Sequence, residues 1–141
     1  MRVEKDSMGN VEVPKNAYYG AQTKRASENF VVSDEKIHLE IIYAIAIIKR
    51  SAAIVNYSLN KISKIEKNAI VQAADEILDK KFDDQFIIDI YQTGSGTSTN
   101  MNVNEVIANR ANEILGYGLG TNGLIHPNDH VNMGQSSNDV I

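Results

Sequence analysis

The sequence predicts a mainly helical domain with one short β-hairpin at its amino terminus, on three observations. Apolar residues recur at spacings of three and four in three long stretches, the pattern of amphipathic helices. Helix-start signals, Ser33-Asp34-Glu35 and Ser63-Lys64-Ile65-Glu66, stand directly ahead of two of these stretches. No alternation of strand and helix patterns points to a parallel sheet, and there is neither an internal repeat nor a low-complexity tract.

The hairpin rests on the alternation Val11-Glu12-Val13 after the turn-forming run Ser7-Met8-Gly9-Asn10, with Pro14 closing it. Ser33 then caps a long helix whose apolar face is Ile37, Ile41, Ile45, Ile48, Ala52, Val55 and Leu59. Ser63 and Glu66 form a capping box: the serine oxygen and the glutamate carboxylate satisfy free N–H groups at the start of a second helix. That helix runs to about Lys80 with Ile65, Ala69, Ala73 and Ile77 on one face. Asp83 or Asp84 caps a short element over Phe86 to Tyr91, read as helix by context. A further helix spans Met101 to Leu115 and ends at Gly116, placed for a left-handed cap. On this last helix Asn102, Glu105, Asn109, Asn112 and Glu113 share one arc, and Val103, Val106, Ile107, Ala111 and Ile114 the other. Arg110 falls inside the apolar arc. It must reach the edge or pair with a carboxylate there, and a structural ion pair is expected.

With 141 residues the chain has the size of one domain. Its 43% hydrophobic and 23% charged composition is that of an ordinary globular protein rather than a disordered one. The longest apolar run, Ile41 to Ile48, is far short of the roughly 20 residues of a membrane span, and Met1-Arg2-Val3-Glu4-Lys5-Asp6 lacks the apolar stretch of a signal peptide. The expectation is a cytoplasmic protein without membrane contact. The absence of cysteine excludes disulfides, thiolate nucleophiles and thiolate metal sites. Net charge is −4, and residues 82–141 hold Arg110 alone against seven acids. Nucleic acid is therefore not an expected partner. An anion bound in this half must be held by hydroxyls, amides and helix ends, or by cations from elsewhere.

Two polar segments in this cation-poor half carry the candidate chemistry. Thr93-Gly94-Ser95-Gly96-Thr97-Ser98-Thr99-Asn100 places hydroxyls and two glycines directly before a helix. Glycine permits close backbone approach, hydroxyls donate without charge, and a helix start offers free N–H groups. The same composition also suits an ordinary capping loop. It is not a phosphate-binding P-loop, since no lysine follows Lys81. The second segment, His126-Pro127-Asn128-Asp129-His130 followed by Gln135-Ser136-Ser137-Asn138-Asp139, is almost entirely donors and acceptors. Such density suits a binding surface better than a core, although a ligand-free polar network would also produce it. His126 and His130 invite a metal reading, but Pro127 argues against a regular helix through both and no HExxH pattern exists. Nothing in the spacing sets a nucleophile against a base. No metal and no cofactor is expected.

Taken together, Thr93-Gly94-Ser95-Gly96-Thr97, Asn100-Met101-Asn102-Val103-Asn104-Glu105, His126-Pro127-Asn128-Asp129 and Gln135-Ser136-Ser137-Asn138-Asp139 closely resemble class II fumarate hydratase, of the fumarase/aspartase superfamily. Tyr18-Tyr19-Gly20-Ala21-Gln22-Thr23-Lys24-Arg25-Ala26 resembles the superfamily's amino-terminal segment. The resemblance implies that residues 1–141 are an amino-terminal lyase domain, truncated before a central helical bundle. It implies reversible hydration of fumarate to malate, a tricarboxylic acid cycle reaction, in a homotetramer whose active sites are shared among three subunits. Carried over residue by residue, Ser95, Gly96, Thr97, Ser136, Ser137 and Asn138 would bind substrate carboxylates. His126, Pro127, Asn128 and Asp129 would form an accessory dicarboxylate site, here without the arginine that often precedes the histidine. The family's catalytic serine, its partner histidine and a substrate-binding lysine have no counterpart before Ile141, so no catalytic residue is assigned and the chain alone is expected to be inactive. Two alternatives stand beside this: the amino-terminal part of an aspartate ammonia-lyase, and a noncatalytic helical module whose polar segments meet a partner bundle.

Overall fold

The computed structural model describes residues 2–6, 9–21, 23–24, 39–86, 97–118 and 123–132. Strands β1 (Arg2–Asp6) and β2 (Gly9–Val13) form the expected hairpin, antiparallel from Asp6↔Gly9 to Arg2↔Val13. Val11 and Val13 point into the core while Val3 faces outward, as a two-residue period requires. Arg2 fastens the hairpin to the chain beyond it. One of its terminal nitrogens donates to the Pro14 and Lys15 carbonyls at 3.0 Å, and the other to the Tyr19 carbonyl at 3.1 Å.

Helix α1 (Leu39–Ser58) packs on α2 (Lys64–Leu78), and α2 packs on α3 (Thr97–Ile114). Residues 33 to 38, with the expected cap at Ser33, lie outside the described residues. The inward face of α1 differs from the one its periodicity suggests. Ile42, Ile45, Ala46, Lys49, Ala53 and Asn56 are buried, whereas Ile41, Ile48, Val55 and Leu59 are 38–57% exposed. The helix is apolar nearly all round, so spacing alone admits two faces. Selection falls to the stripe where small Ala46 and Ala53 let the neighbouring helices approach. The α1 end uses Asn60 at φ +60°, with Lys61 N–H on the Asn56 carbonyl and Asn60 N–H on that of Tyr57.

At the start of α2 the capping box is present: Glu66 N–H donates to Ser63 Oγ at 3.1 Å and Ser63 N–H to Glu66 Oε1 at 2.7 Å. Ala69, Ala73 and Ile77 face the core as expected. Ile65 does not; it is 60% exposed, and Ile62, just ahead of the cap, is the buried isoleucine at this end. Asp83–Gln85 form a 3-10 turn, held to α1 by the Tyr43 hydroxyl donating to Asp83 Oδ1 at 2.7 Å. That bond pushes the Tyr43 pKa up to about 12. Phe86 is buried, and residues 87–91 of the expected short element lie outside the described residues.

The third helix begins a turn earlier than its apolar pattern suggests. It ends as expected, with Gly116 at φ +95°, Gly116 N–H on the Glu113 carbonyl and Tyr117 N–H on that of Asn112. Both of its arcs are buried. Val103, Val106, Ile107 and Ala111 join the core, while the polar arc anchors loops. Asn102 Nδ2 donates to the Gln85 carbonyl at 3.1 Å, and Asn109 Nδ2 to that of Tyr18 at 2.8 Å. Asn112 exchanges two 2.8 Å bonds with the Ile125 backbone. Glu105 accepts the Gly20 and Thr23 N–H groups at 2.9 and 3.0 Å, a carboxylate at the start of the helical turn that includes Ala21, Thr23 and Lys24. At Gly20 a Cβ would lie 2.8 Å from Glu105 Oε2 and 2.9 Å from Glu4 Oε1, so glycine is what lets these carboxylates close in.

Candidate functional site

The described residues of the two candidate segments lie near the two ends of α3. Thr97, expected to act with Ser95 and Gly96, is the first described residue of the helix. Ser95 and Gly96 and the Thr97 side chain lie outside the described residues, as do Ser136, Ser137 and Asn138. Beyond the far end of α3, Asn112 holds Ile125, and this aims the following four residues.

His126 then leads into a single π-helical turn, Pro127–Val131, which includes Pro127, Asn128 and Asp129. The sequence argument that Pro127 disfavours a regular helix holds only in part. Proline fits the first position of a helical turn, where no intrahelical donor is needed. The turn is wide: the His126 carbonyl accepts from His130 N–H at 3.0 Å and Val131 N–H at 3.3 Å, and the Pro127 carbonyl from Asn132 N–H at 3.0 Å. His126 N–H donates to His130 Nδ1 at 2.9 Å. His130 therefore carries its hydrogen on Nε2, which lies 3.2 Å from Glu66 Oε2. Glu66 thus closes the α2 cap with one oxygen and receives His130 with the other. Asp129 N–H points to His126 Nδ1 at 3.3 Å, and the Asp129 carboxylate stands 3.8 Å from that nitrogen. Both side chains face solvent, His126 at 46% and Asp129 at 76% exposed. Residues 111–141 contain no Lys or Arg, so this stretch supplies only histidine rings and neutral groups as donors.

Beneath these two segments is a buried polar joint that the sequence reading missed. Lys49 of α1 is 0% exposed, and its Nζ donates to Asn132 Oδ1 at 2.9 Å. Asn100 Nδ2 of α3 reaches the same oxygen at 3.2 Å. Burial lowers the Lys49 pKa from 10.5 to about 8. The available signal was a lysine inside the stripe Ile42, Ile45, Ala46, Ala53, a place an apolar residue would fill more cheaply. Asn100 is three residues past Thr97 and Asn132 is four before Ser136. The joint thus ties α1 to a residue of α3 and to the residue that follows the π-helical turn.

Among the described residues no three His, Cys, Asp or Glu side chains come together as a metal site. A cavity of about 50 Å³ lined by Glu4, Gly20, Glu105, Asn109, Asn112 and Pro127 has room for water, and two carboxylates stand in its wall. Among the described residues, no helix is long and apolar enough to cross a membrane.

Comparison with known proteins places this geometry in a family. Residues 9–141 match the lyase family. Over 139 residues, 99% of this chain, it is 59% identical to a class II fumarate hydratase of Campylobacter jejuni and 54% identical to that of Neisseria meningitidis. An aspartate ammonia-lyase from a Bacillus species is 52% identical over 140 residues. The chain spans about 30% of the length of each of these relatives. The structure superposes on recombinant class II fumarase from Schistosoma mansoni with a TM-score of 0.95 at 48% identity, covering 99% of this chain and 29% of that one. For a fumarate lyase:delta crystallin from Brucella melitensis the TM-score is 0.96 at 49% identity, covering 99% and 32%. The chain belongs to the lyase family.

Proposed function

We propose that these residues form the amino-terminal, carboxylate-recognising part of a fumarate hydratase, which reversibly adds water to fumarate to give malate. The observation that supports the reading is the joint of Lys49, Asn100 and Asn132, whose two asparagines stand three residues after Thr97 and four before Ser136, in the segments that resemble the family's dicarboxylate site. In the reaction, a proton leaves the carbon next to a carboxylate, and the dianionic carboxylate so formed needs preorganised donors. Ser95, Gly96 and Thr97 supply donors on one side; Ser136, Ser137 and Asn138 supply them on the other. These are neutral groups, so the fold can present them in a cation-poor region without desolvating charge. The accessory dicarboxylate site is assigned to His126, Pro127, Asn128 and Asp129, with His126 as its main donor.

Proton transfer is assigned to a serine base and its partner histidine that this chain does not contain, with a further substrate-binding lysine, in a homotetramer whose active sites are shared among subunits. The enzyme would act in the tricarboxylic acid cycle in the cytoplasm. An aspartate ammonia-lyase is the second reading, favoured by the relative from Bacillus at 52% identity. The test is a full-length Campylobacter jejuni relative in which this chain replaces the matched segment. Conversion of malate to fumarate without release of ammonia from aspartate is expected; ammonia release from aspartate with malate untouched would replace the first reading by the second. The 141-residue chain alone should turn over neither substrate.

A further inference from the structure

We propose that Lys49 is a positioning residue for the dicarboxylate site, fixing the segment that opens α3 relative to the segment that leaves the π-turn through Asn132 and Asn100. The inference deepens the hydratase reading and rests on it.

Packing does not account for Lys49. Its neighbours on the buried stripe of α1 are isoleucine and alanine, and an apolar side chain there would gain burial without desolvating a charge. What the ammonium does that an apolar residue cannot is donate. Its bond ends on Asn132 Oδ1, which also receives Asn100 Nδ2. Two donors from two helices occupy both lone pairs of one carbonyl oxygen, so the amide of Asn132 is fixed in orientation as well as place. Asn132 N–H is held in turn by the Pro127 carbonyl. The residue at which the chain leaves the π-turn is thereby tied to α1, to α3 and to the turn itself. Thr97 lies one helical turn before Asn100, and Ser136 lies four residues beyond Asn132. A shift at this joint would therefore change the spacing between two sets of donors that must grip one small dianion, and misplacement of about 1 Å can be costly to a reaction. Lys49 also comes from the lysine-rich first part of the chain, and α1 carries it under the part that has almost no cations of its own.

The experiment uses the full-length Campylobacter jejuni relative carrying this chain in place of its matched segment, with Lys49→Met, Lys49→Arg, Asn132→Leu and the double variant Lys49→Met/Asn132→Leu. Lys49→Met should melt no lower than the parent while its KM for malate and fumarate rises about tenfold or more, with kcat changed less than about threefold. Lys49→Arg should recover part of the loss, and the double variant should be no worse than the poorer single variant. An active parent with an unchanged KM in Lys49→Met overturns the inference and leaves the hydratase reading standing. Additive effects in the double variant, or a loss of activity that follows the melting temperature, also overturn it. A parent that folds but does not hydrate fumarate overturns the reading and the inference together.

Discussion

Arg110 grips Glu76 with two nitrogens, Nε lying 2.7 Å from Oε1 and Nη2 3.2 Å from Oε2. Its Nη1 donates to Glu113 Oε1 at 2.7 Å, and the Tyr18 hydroxyl donates to that same oxygen at 2.7 Å. One arginine on α3 thus ties together α2, its own last turn and the segment after the hairpin. This is the ion pair expected of an arginine on an apolar arc, and it places Arg110 in the scaffold.

Replacing Arg110 with methionine should therefore cost stability more than affinity. The pair is partly exposed, Arg110 at 25% and Glu76 at 13%, so screening reduces its worth, and about 1–3 kcal/mol is expected. Burial alone would raise the Glu76 pKa, but bonds from Arg110 and Gln72 outweigh it and leave it below the usual carboxylate value. A depressed carboxylate contributes fully above its unfolded pKa and loses that contribution as pH falls through the folded one. Urea unfolding of the unaltered chain should weaken below about pH 4.5, and Arg110→Met should flatten that dependence. An unchanged acid slope would separate Glu76 from Arg110.

Lys49 predicts a dependence of the opposite reach. Its pKa is lowered from 10.5 to about 8 by burial, so between these values the unfolded chain binds more protons than the folded one. Stability should rise with pH across this window, its gain complete near 10.5 and absent below 8. Urea midpoints measured from pH 7 to 10 should climb for the unaltered chain relative to Lys49→Met, which should be the more stable of the two at pH 7. A parallel pair of curves would show that Lys49 titrates as it does in water.

Much of this fold was legible in the sequence because local chemistry decided it. The Ser63 and Glu66 cap, the Gly116 stop and the Val11 to Val13 alternation each depend on neighbours a few residues away. The face of α1 was not legible, since Ile41, Ile48 and Val55 are as apolar as Ile42, Ile45 and Ala53, and only packing against α2 and α3 chooses between them. The polar arc of α3 was visible as a pattern, but its purpose was not. Asn102, Glu105, Asn109 and Asn112 bond to backbone groups as distant in sequence as Gly20 and Ile125. The candidate site shows the same division. Its segments stood out by composition, whereas Lys49 and Asn132 meet only in three dimensions, 83 residues apart.

Lys80 sits at φ +65° just past α2, where Lys80 N–H meets the Ile77 carbonyl and Lys81 N–H that of Glu76. This is the left-handed closing position that favours glycine, and a Cβ there is strained by about 1–2 kcal/mol. Lys80→Gly should raise stability by about 0.5–1 kcal/mol once the greater freedom of glycine in the unfolded chain is subtracted. Thermal melts of the two chains check this, and a lower melting temperature for Lys80→Gly would show that the lysine side chain contributes more than its backbone strain costs.

Glu66 offers a way to separate the helix cap from the site above it. Its Oε1 receives Ser63 N–H and its Oε2 faces His130 Nε2, so Glu66→Ala removes half of the capping box and the anchor of the π-turn at once. Ser63→Ala removes only the other half of the cap. Each should cost about 1 kcal/mol of global stability, the usual worth of a cap. They should differ locally. The amides of His130, Val131 and Asn132 are bonded within the turn to the His126 and Pro127 carbonyls, and their hydrogen exchange should quicken well beyond the global effect in Glu66→Ala while following global stability in Ser63→Ala. If exchange at these three amides responds equally to both substitutions, the His130 contact does not steady the turn, and its geometry is set from the Asn112 and Asn132 ends alone.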